Sequence, residues 1–179
     1  MATGRASSRG WWAPRVGSTR CGPKAYARSA TGNVAQLREL ARQYGNITVQ
    51  VQPGALLSAP EPLDVVWTSD NYHDYNDKFM GRPGSLAFAR SAFRILKPGG
   101  LFIVIDHSAA TGHGLRDTET MHRIELAQVI REAQAAGFRL VGESRVLLNR
   151  TDPLNIPVFD PKVRFRTSQF ALKFRKPLR

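Results

Sequence analysis

From residue 33 onward the apolar positions fall into regular periods; before it they do not. Val34, Leu37, Ala41 and Tyr44 share one helical face, with Asn33 placed as N-cap and Gly45 as the stop. Ile47, Val49 and Val51 alternate, which predicts a strand over Ile47–Gln52, turned out by Pro53-Gly54. A second short strand, Leu63–Thr68, empties into the polar and aromatic stretch Ser69–Tyr75. Leu86, Ala89, Phe93 and Leu96 stand at i, i+3, i+7 and i+10 and predict a helix over Ser85–Leu96. Lys97 sits in its last turn, Pro98 stops it, and Gly99-Gly100 supply the positive φ of a cap. Leu101–Ile105 is apolar without alternation, as in a strand covered on both faces. Leu126, Val129, Ile130 and Ala133 mark a helix from about Glu125 to Ala136, with Gly137 and Phe138 at C′ and C″. Phe138–Leu148 holds a further strand, and Phe170, Leu172 and Phe174 alternate in the last one. Strand–helix alternation followed by two strands with no helix between them predicts an α/β fold. Its sheet is mostly parallel, with an antiparallel hairpin at one edge.

Residues 1–33 show no apolar periodicity and read as a separate, poorly ordered basic segment ahead of a domain at 34–179. Charge sharpens that division. The chain of 179 residues carries a net +12, but residues 1–33 hold six Lys/Arg and no acid, and 151–179 hold seven against two. The middle is nearly neutral. Solvated basic tails explain this pattern, so nucleic-acid binding is expected only as non-specific binding through the tails. No apolar run approaches a membrane span, and no secretory signal is seen, which predicts a cytoplasmic protein. A single cysteine, Cys21, permits no intrachain disulfide. No Cys/His grouping has zinc-site spacing, so no metal site is expected.

Ligands of open α/β sheets bind at the carboxyl ends of the strands. Asp106 and His107 follow Leu101–Ile105 at once, and His73 lies just after Leu63–Thr68. His73 adjoins Asp74 and His107 adjoins Asp106, so each imidazole has a carboxylate to hold one nitrogen and leave the other basic. His73, His107 and Asp106 are therefore the candidate catalytic residues, with Asp106 orienting His107 or a substrate amine. His113, flanked by glycines, has nothing beside it to orient it and is expected to be silent.

Taken together, Leu96-Lys97-Pro98-Gly99-Gly100, Asn71-Tyr72-His73-Asp74, Asp106-His107, His122-Arg123-Ile124 and Phe159-Asp160-Pro161 resemble class I S-adenosylmethionine-dependent methyltransferases. The similarity is to a bacterial group of predicted methyltransferases and spans roughly residues 33–177. It implies a Rossmann-like sheet, S-adenosylmethionine as cofactor and a small-molecule acceptor. It implies that Gln52, Pro53, Gly54 and Ala55 lie where the adenine sits. Asn71 and Tyr72 match the loop near the transferred methyl group, and His122 matches the His-Arg-Ile of the group. One feature of the family is missing. Its members open with a strand ending in a Gly-rich turn that approaches the methionine and ribose, followed by a strand ending in an acid. Gly10-Trp11-Trp12 and Gly22–Ala27 look like remnants around that place, and Tyr26-Ala27-Arg28 puts a cation where the acid belongs. The N-terminal strand is thus expected to be altered or missing, in a truncated methyltransferase that binds its cofactor weakly or not at all. A Rossmann-like remnant acting as a binding or structural protein is the alternative.

Overall fold

The structure, a computed structural model, describes residues 16–21, 31–52 and 55–179. Trp11, Trp12, Tyr26, Arg28, Pro53 and Gly54 lie outside the described residues. In chain order the strands are β1 (Val16–Cys21), β2 (Ile47–Gln52), β3 (Leu63–Ser69), β4 (Leu96–His107), β5 (Arg139–Ser144) and β6 (Gln169–Arg175). The helices are α1 (Thr31–Tyr44), α2 (Ser85–Ile95), α3 (Thr118–Met121) and α4 (Leu126–Ala135), with 3₁₀ turns at His73–Asn76 and Lys78–Met80.

β1 lies inside the segment read as poorly ordered, pairing in parallel with β2 from Val16↔Ile47 to Cys21↔Gln52. α1 begins at Thr31, so Asn33 is a helix residue and not its cap. β3 and β4 are parallel, while β6 runs antiparallel to both β4 and β5, giving the order β3-β4-β6-β5. Among the described residues no ladder joins this sheet to the β1-β2 pair. β3 is therefore its edge, where the family's first strand would stand.

β4 departs from its sequence reading in two ways. It starts at Leu96, whose extended backbone (φ −79°, ψ 143°) ends α2 directly. Gly99 has φ 80° but sits within the strand, not in a helix cap. Lys97 lies beyond the helix and reaches Asp64 at 2.7 Å. The cation that does serve the α2 carbonyls is Lys176, whose Nζ donates to Phe93 O and Leu96 O, each at 2.7 Å. The strand is also more fully covered on one face than on the other. Phe102, Val104 and Asp106 are buried, whereas Leu101, Ile103 and Ile105 are half-buried. On that second face of β3, Val65 and Trp67 are 46% and 60% exposed.

The covered face carries the core. Phe102, Val104, Leu172 and Phe174 pack with Phe88, Ala89 and Ala92 of α2 and Val129 and Ala133 of α4. α4 ends as its sequence predicts: Gly137 takes φ 106°, its N–H donates to Gln134 O and the Phe138 N–H donates to Ala133 O. That is the paired hydrogen bonding of a Schellman motif, and Phe138 closes it by burying its ring against Phe93 and Phe102.

Candidate functional site

β3 and β4 finish, and β6 begins, at the same end of the sheet. A pocket of about 510 Å³ lies there. Asp70, His73, Asp74 and His107 line it from the strand ends, His122 from the end of α3, and Phe159, Arg164, Phe165 and Thr167 from the long loop before β6. Phe165 is 91% exposed, with the Arg164 guanidinium over its ring at 5.0 Å.

The carboxylate of Asp106 has no accessible surface and is turned to His73. One oxygen lies 2.7 Å from His73 Nδ1 and the other accepts the His73 backbone N–H at 2.9 Å. Asp106 therefore orients His73; it does not orient the ring of His107, and it does not line the pocket. The far nitrogen of His73, Nε2, is 3.0 Å from Asp74 Oδ1 and 3.3 Å from His122 Nδ1. Burial opposes charge on His73, yet Asp106 and Asp74 outweigh it and raise its pKa to about 10. Unless a cation displaces the Nε2 proton, His73 therefore carries a proton on both ring nitrogens at neutral pH and is not the free base of its sequence reading. Burial also works against the charge of Asp74, but His122 and His73 hold its carboxyl below the usual range. His73, Asp74 and His122 are described residues whose donor atoms converge closely enough to hold a metal ion.

His107 differs in every respect. Its Nδ1 is 2.8 Å from Thr167 Oγ1 and 3.3 Å from the Gln169 amide nitrogen. That amide also donates to Asp70 Oδ1 at 2.7 Å, which fixes its orientation with the nitrogen toward His107. Nδ1 is thus the acceptor, and Nε2 carries the proton 3.8 Å from Asp70 Oδ1. Burial lowers the His107 pKa, and Asp106 and Asp70 only partly offset it, with His73 and Arg123 pushing the same way as burial. His107 is therefore neutral near pH 7. Asp70, in the left-handed region at φ 55°, was not singled out in the sequence, although its place directly after β3 is the same signal that marks His107 after β4.

Of the residues read as cofactor contacts, Pro53 and Gly54 lie outside the described residues, and the others do not line this pocket. Tyr72 is fully buried, its hydroxyl donating to Glu132 at 2.9 Å and its ring set against Phe88 and Phe102. Ala55 is in the core. The amide of Gln52 is engaged with Ser58, donating to its carbonyl at 2.8 Å and accepting its N–H at 2.8 Å. Asn71 is exposed and bonded to Thr68, outside the pocket lining. His113 does have an orienting partner, Asp117 Oδ2 at 2.5 Å, but does not line the pocket.

Behind the pocket, Arg123 and Asp152 form an ion pair without accessible surface, with contacts of 2.9 and 3.0 Å. Arg123 also donates to Ser108 O and Ile156 O, and Asp152 accepts the N–H groups of Ser168 and Leu154. This cluster ties the end of β4 to the loop that supplies Phe159 and Thr167.

Solved structures share this arrangement of strands and helices. The [4+2]-cyclase SpnF superposes with a TM-score of 0.59 at 20% identity, over 82% of this chain and 63% of its own. The N-methyltransferase NodS from Bradyrhizobium japonicum WM9 gives 0.57 at 14%, over 91% and 74%, and has been crystallised with S-adenosylhomocysteine. The 1,6-didemethyltoxoflavin-N1-methyltransferase of Burkholderia thailandensis, solved with its acceptor and S-adenosylhomocysteine, gives 0.53 at 16%, over 91% and 61%. The fold is that of the class I S-adenosylmethionine-dependent methyltransferases. The chain spans less than two thirds of the length of SpnF and of the toxoflavin enzyme. No protein-family model matches the sequence, and no curated protein is significantly similar to it. No helix of the described residues is long and apolar enough to cross a membrane.

Proposed function

We propose that this chain is an S-adenosylmethionine-dependent methyltransferase acting on a small molecule, with His107 as the group that takes the acceptor's proton. One observation carries the reading: on a methyltransferase fold, the pocket at the carboxyl ends of β3 and β4 presents a neutral, oriented histidine. A nucleophilic O–H, N–H or S–H sheds a proton as it takes a methyl group. Nδ1 of His107 accepts that proton directly or through the Thr167 hydroxyl 2.8 Å away. Asp70 steadies the imidazolium that results, from the Nε2 side. Phe159 and Phe165 offer apolar walls and Arg164 a cation, which suits a planar acceptor bearing an acidic group. The positive charge concentrated at the two ends of the sequence leaves non-specific nucleic-acid contact as a side property, not the substrate choice.

Pro53 and Gly54 of the stretch expected at the adenine lie outside the described residues. Gln52 has its amide engaged, Ala55 and Tyr72 are core residues, and none of the three lines the pocket. The residue roles assigned above are those on the acceptor side, and S-adenosylmethionine would supply the methyl group when bound.

The test is formation of S-adenosylhomocysteine from S-adenosylmethionine with a panel of phenols, carboxylic acids, amines and thiols. Turnover is expected with at least one class, and His107→Ala should lower it by about 10²–10⁴-fold. The wild-type rate should rise with pH through a value below the free-histidine pKa of about 6.5, because the neutral form of His107 is the active one. Absence of both turnover and S-adenosylhomocysteine binding in a calorimetric titration would overturn the proposal.

A further inference from the structure

We infer that His73 Nε2, Asp74 Oδ1 and His122 Nδ1 form a binding site for a divalent transition-metal ion, of the zinc type, on the floor of the pocket. The three atoms are mutually separated by 3.0, 3.3 and 3.6 Å. Ligands held ~2.1 Å from a tetrahedral ion stand ~3.4 Å apart, so the triangle has the size of one face of such a shell. Two imidazoles and one carboxylate also form the donor set that borderline-soft cations prefer over Mg²⁺ or Ca²⁺. All three residues line the pocket, so the remaining coordination positions open toward it, where water or an oxygen or sulfur donor of a bound molecule completes the shell.

The surroundings are built as a metal site's are. His73 gives its other nitrogen, Nδ1, to the buried Asp106 at 2.7 Å, the carboxylate–histidine arrangement that fixes tautomer and ring direction in metal centres. His122 is held in the left-handed region at φ 54°, an uncommon conformation for a residue with a side chain. Its neighbour Arg123 is locked into the ion pair with Asp152, and Phe159 packs edge-on against its ring at 4.9 Å. Asp77, 1% exposed, has Thr118 as its side-chain neighbour and lies beside His73, Asp74 and His122. A buried carboxylate is costly, and a nearby dication offsets it. Without an ion, the lone pair of His73 Nε2 would face an acidic oxygen and a second ring nitrogen, so either a proton or a metal must stand between them.

The site does not depend on methyl transfer, and its test reads metal and not turnover. The purified full-length chain, stripped with a chelator, is equilibrated with Zn²⁺, desalted and analysed for metal, and titrated separately with Co²⁺. Expected are a single zinc per chain and visible d–d absorption from Co²⁺ that added Zn²⁺ abolishes. Asp74→Asn and His122→Ala, both at partly exposed positions, should each weaken the ion at least 10–100-fold while keeping the wild-type circular dichroism. Asp106→Asn should weaken it by about 10–100-fold through His73. His113→Ala should leave it unchanged. The proposal is overturned if the wild-type chain retains no stoichiometric metal, or if Asp74→Asn and His122→Ala bind it as tightly as His113→Ala does.

Discussion

Replacing Asp152 by alanine is the most severe single change this structure predicts away from the apolar core. The substitution removes two charge-assisted bonds, at 2.9 and 3.0 Å, from a guanidinium with no accessible surface. It also strips the N–H groups of Ser168 and Leu154, at 2.6 and 3.1 Å, of their acceptor. Arg123 keeps only its bonds to Ser108 O and Ile156 O. Leaving one member of a buried pair uncompensated costs about 3–5 kcal/mol, against a total stability of about 5–15 kcal/mol for a domain. Asp152→Asn retains one acceptor oxygen and should cost about 1.5–3 kcal/mol, the range of a lost charged hydrogen bond. Replacing both partners, Arg123→Met with Asp152→Leu, removes the stranded charge as well and should be less harmful than Asp152→Ala alone.

Urea unfolding followed by circular dichroism, at equal slopes, gives the three values. The pH dependence adds a sign. Burial works to raise Asp152, but Arg123 and the Ser168 and Leu154 amides outweigh it and hold the carboxyl below its ordinary value. Its stabilisation is therefore present above the unfolded pKa of about 4 and lost as pH falls through the lower folded value. The wild-type chain should lose stability in that acid window more steeply than Asp152→Ala. A cost below about 1 kcal/mol for Asp152→Ala at pH 7, or an unchanged acid limb, would refute the reasoning.

Two further expectations concern the frame. Lys176→Met keeps the stem over Phe93 but removes the cation from the Phe93 and Leu96 carbonyls, and should lower stability by about 1–2 kcal/mol, read from the shift of the urea midpoint. Trp67→Ser, at a ring 60% exposed on the open face of β3, should stay within about 0.5 kcal/mol of wild type; a loss of several kcal/mol would show the ring to be covered in solution.

Much of the frame was legible because its signals are local. The period of α2 and α4, the alternation of β6 and the Gly137-Phe138 stop each lie within a dozen positions. What escaped reading is non-local or weakly patterned. β1, Val-Gly-Ser-Thr-Arg-Cys, has too few apolar residues to alternate, and its pairing with β2 is the evidence for it. The cation of the α2 terminus comes from Lys176, 80 positions from Leu96, so Lys97 was the natural but mistaken choice. His73 and His122 are 49 positions apart, Arg123 and Asp152 29 apart. Spacing rules for metal ligands or ion pairs have no purchase at such distances.

The pairing of histidines with carboxylates shows where adjacency in sequence misleads. Asp106 precedes His107, so it was read as that residue's partner. In a strand, however, consecutive side chains point to opposite faces. Asp106 shares a face with Phe102 and Val104, and that face is the one closed by α2 and α4. It can only reach inward, where the turn after β3 delivers His73. His107 is left on the other face with Ile103 and Ile105, where its partners come from the strands alongside, Asp70 after β3 and Thr167 and Gln169 at the start of β6. One end of the sheet therefore holds two imidazoles in opposite electrostatic settings. His73 sits among Asp74 and Asp106 and favours a positive charge or a cation in its plane. His107 is desolvated, with Asp70 a more distant 3.8 Å away, and stays neutral. Pleating alone thus separates the two roles: a proton can be accepted on the His107 side only because the carboxylate next to it in the chain faces the other way.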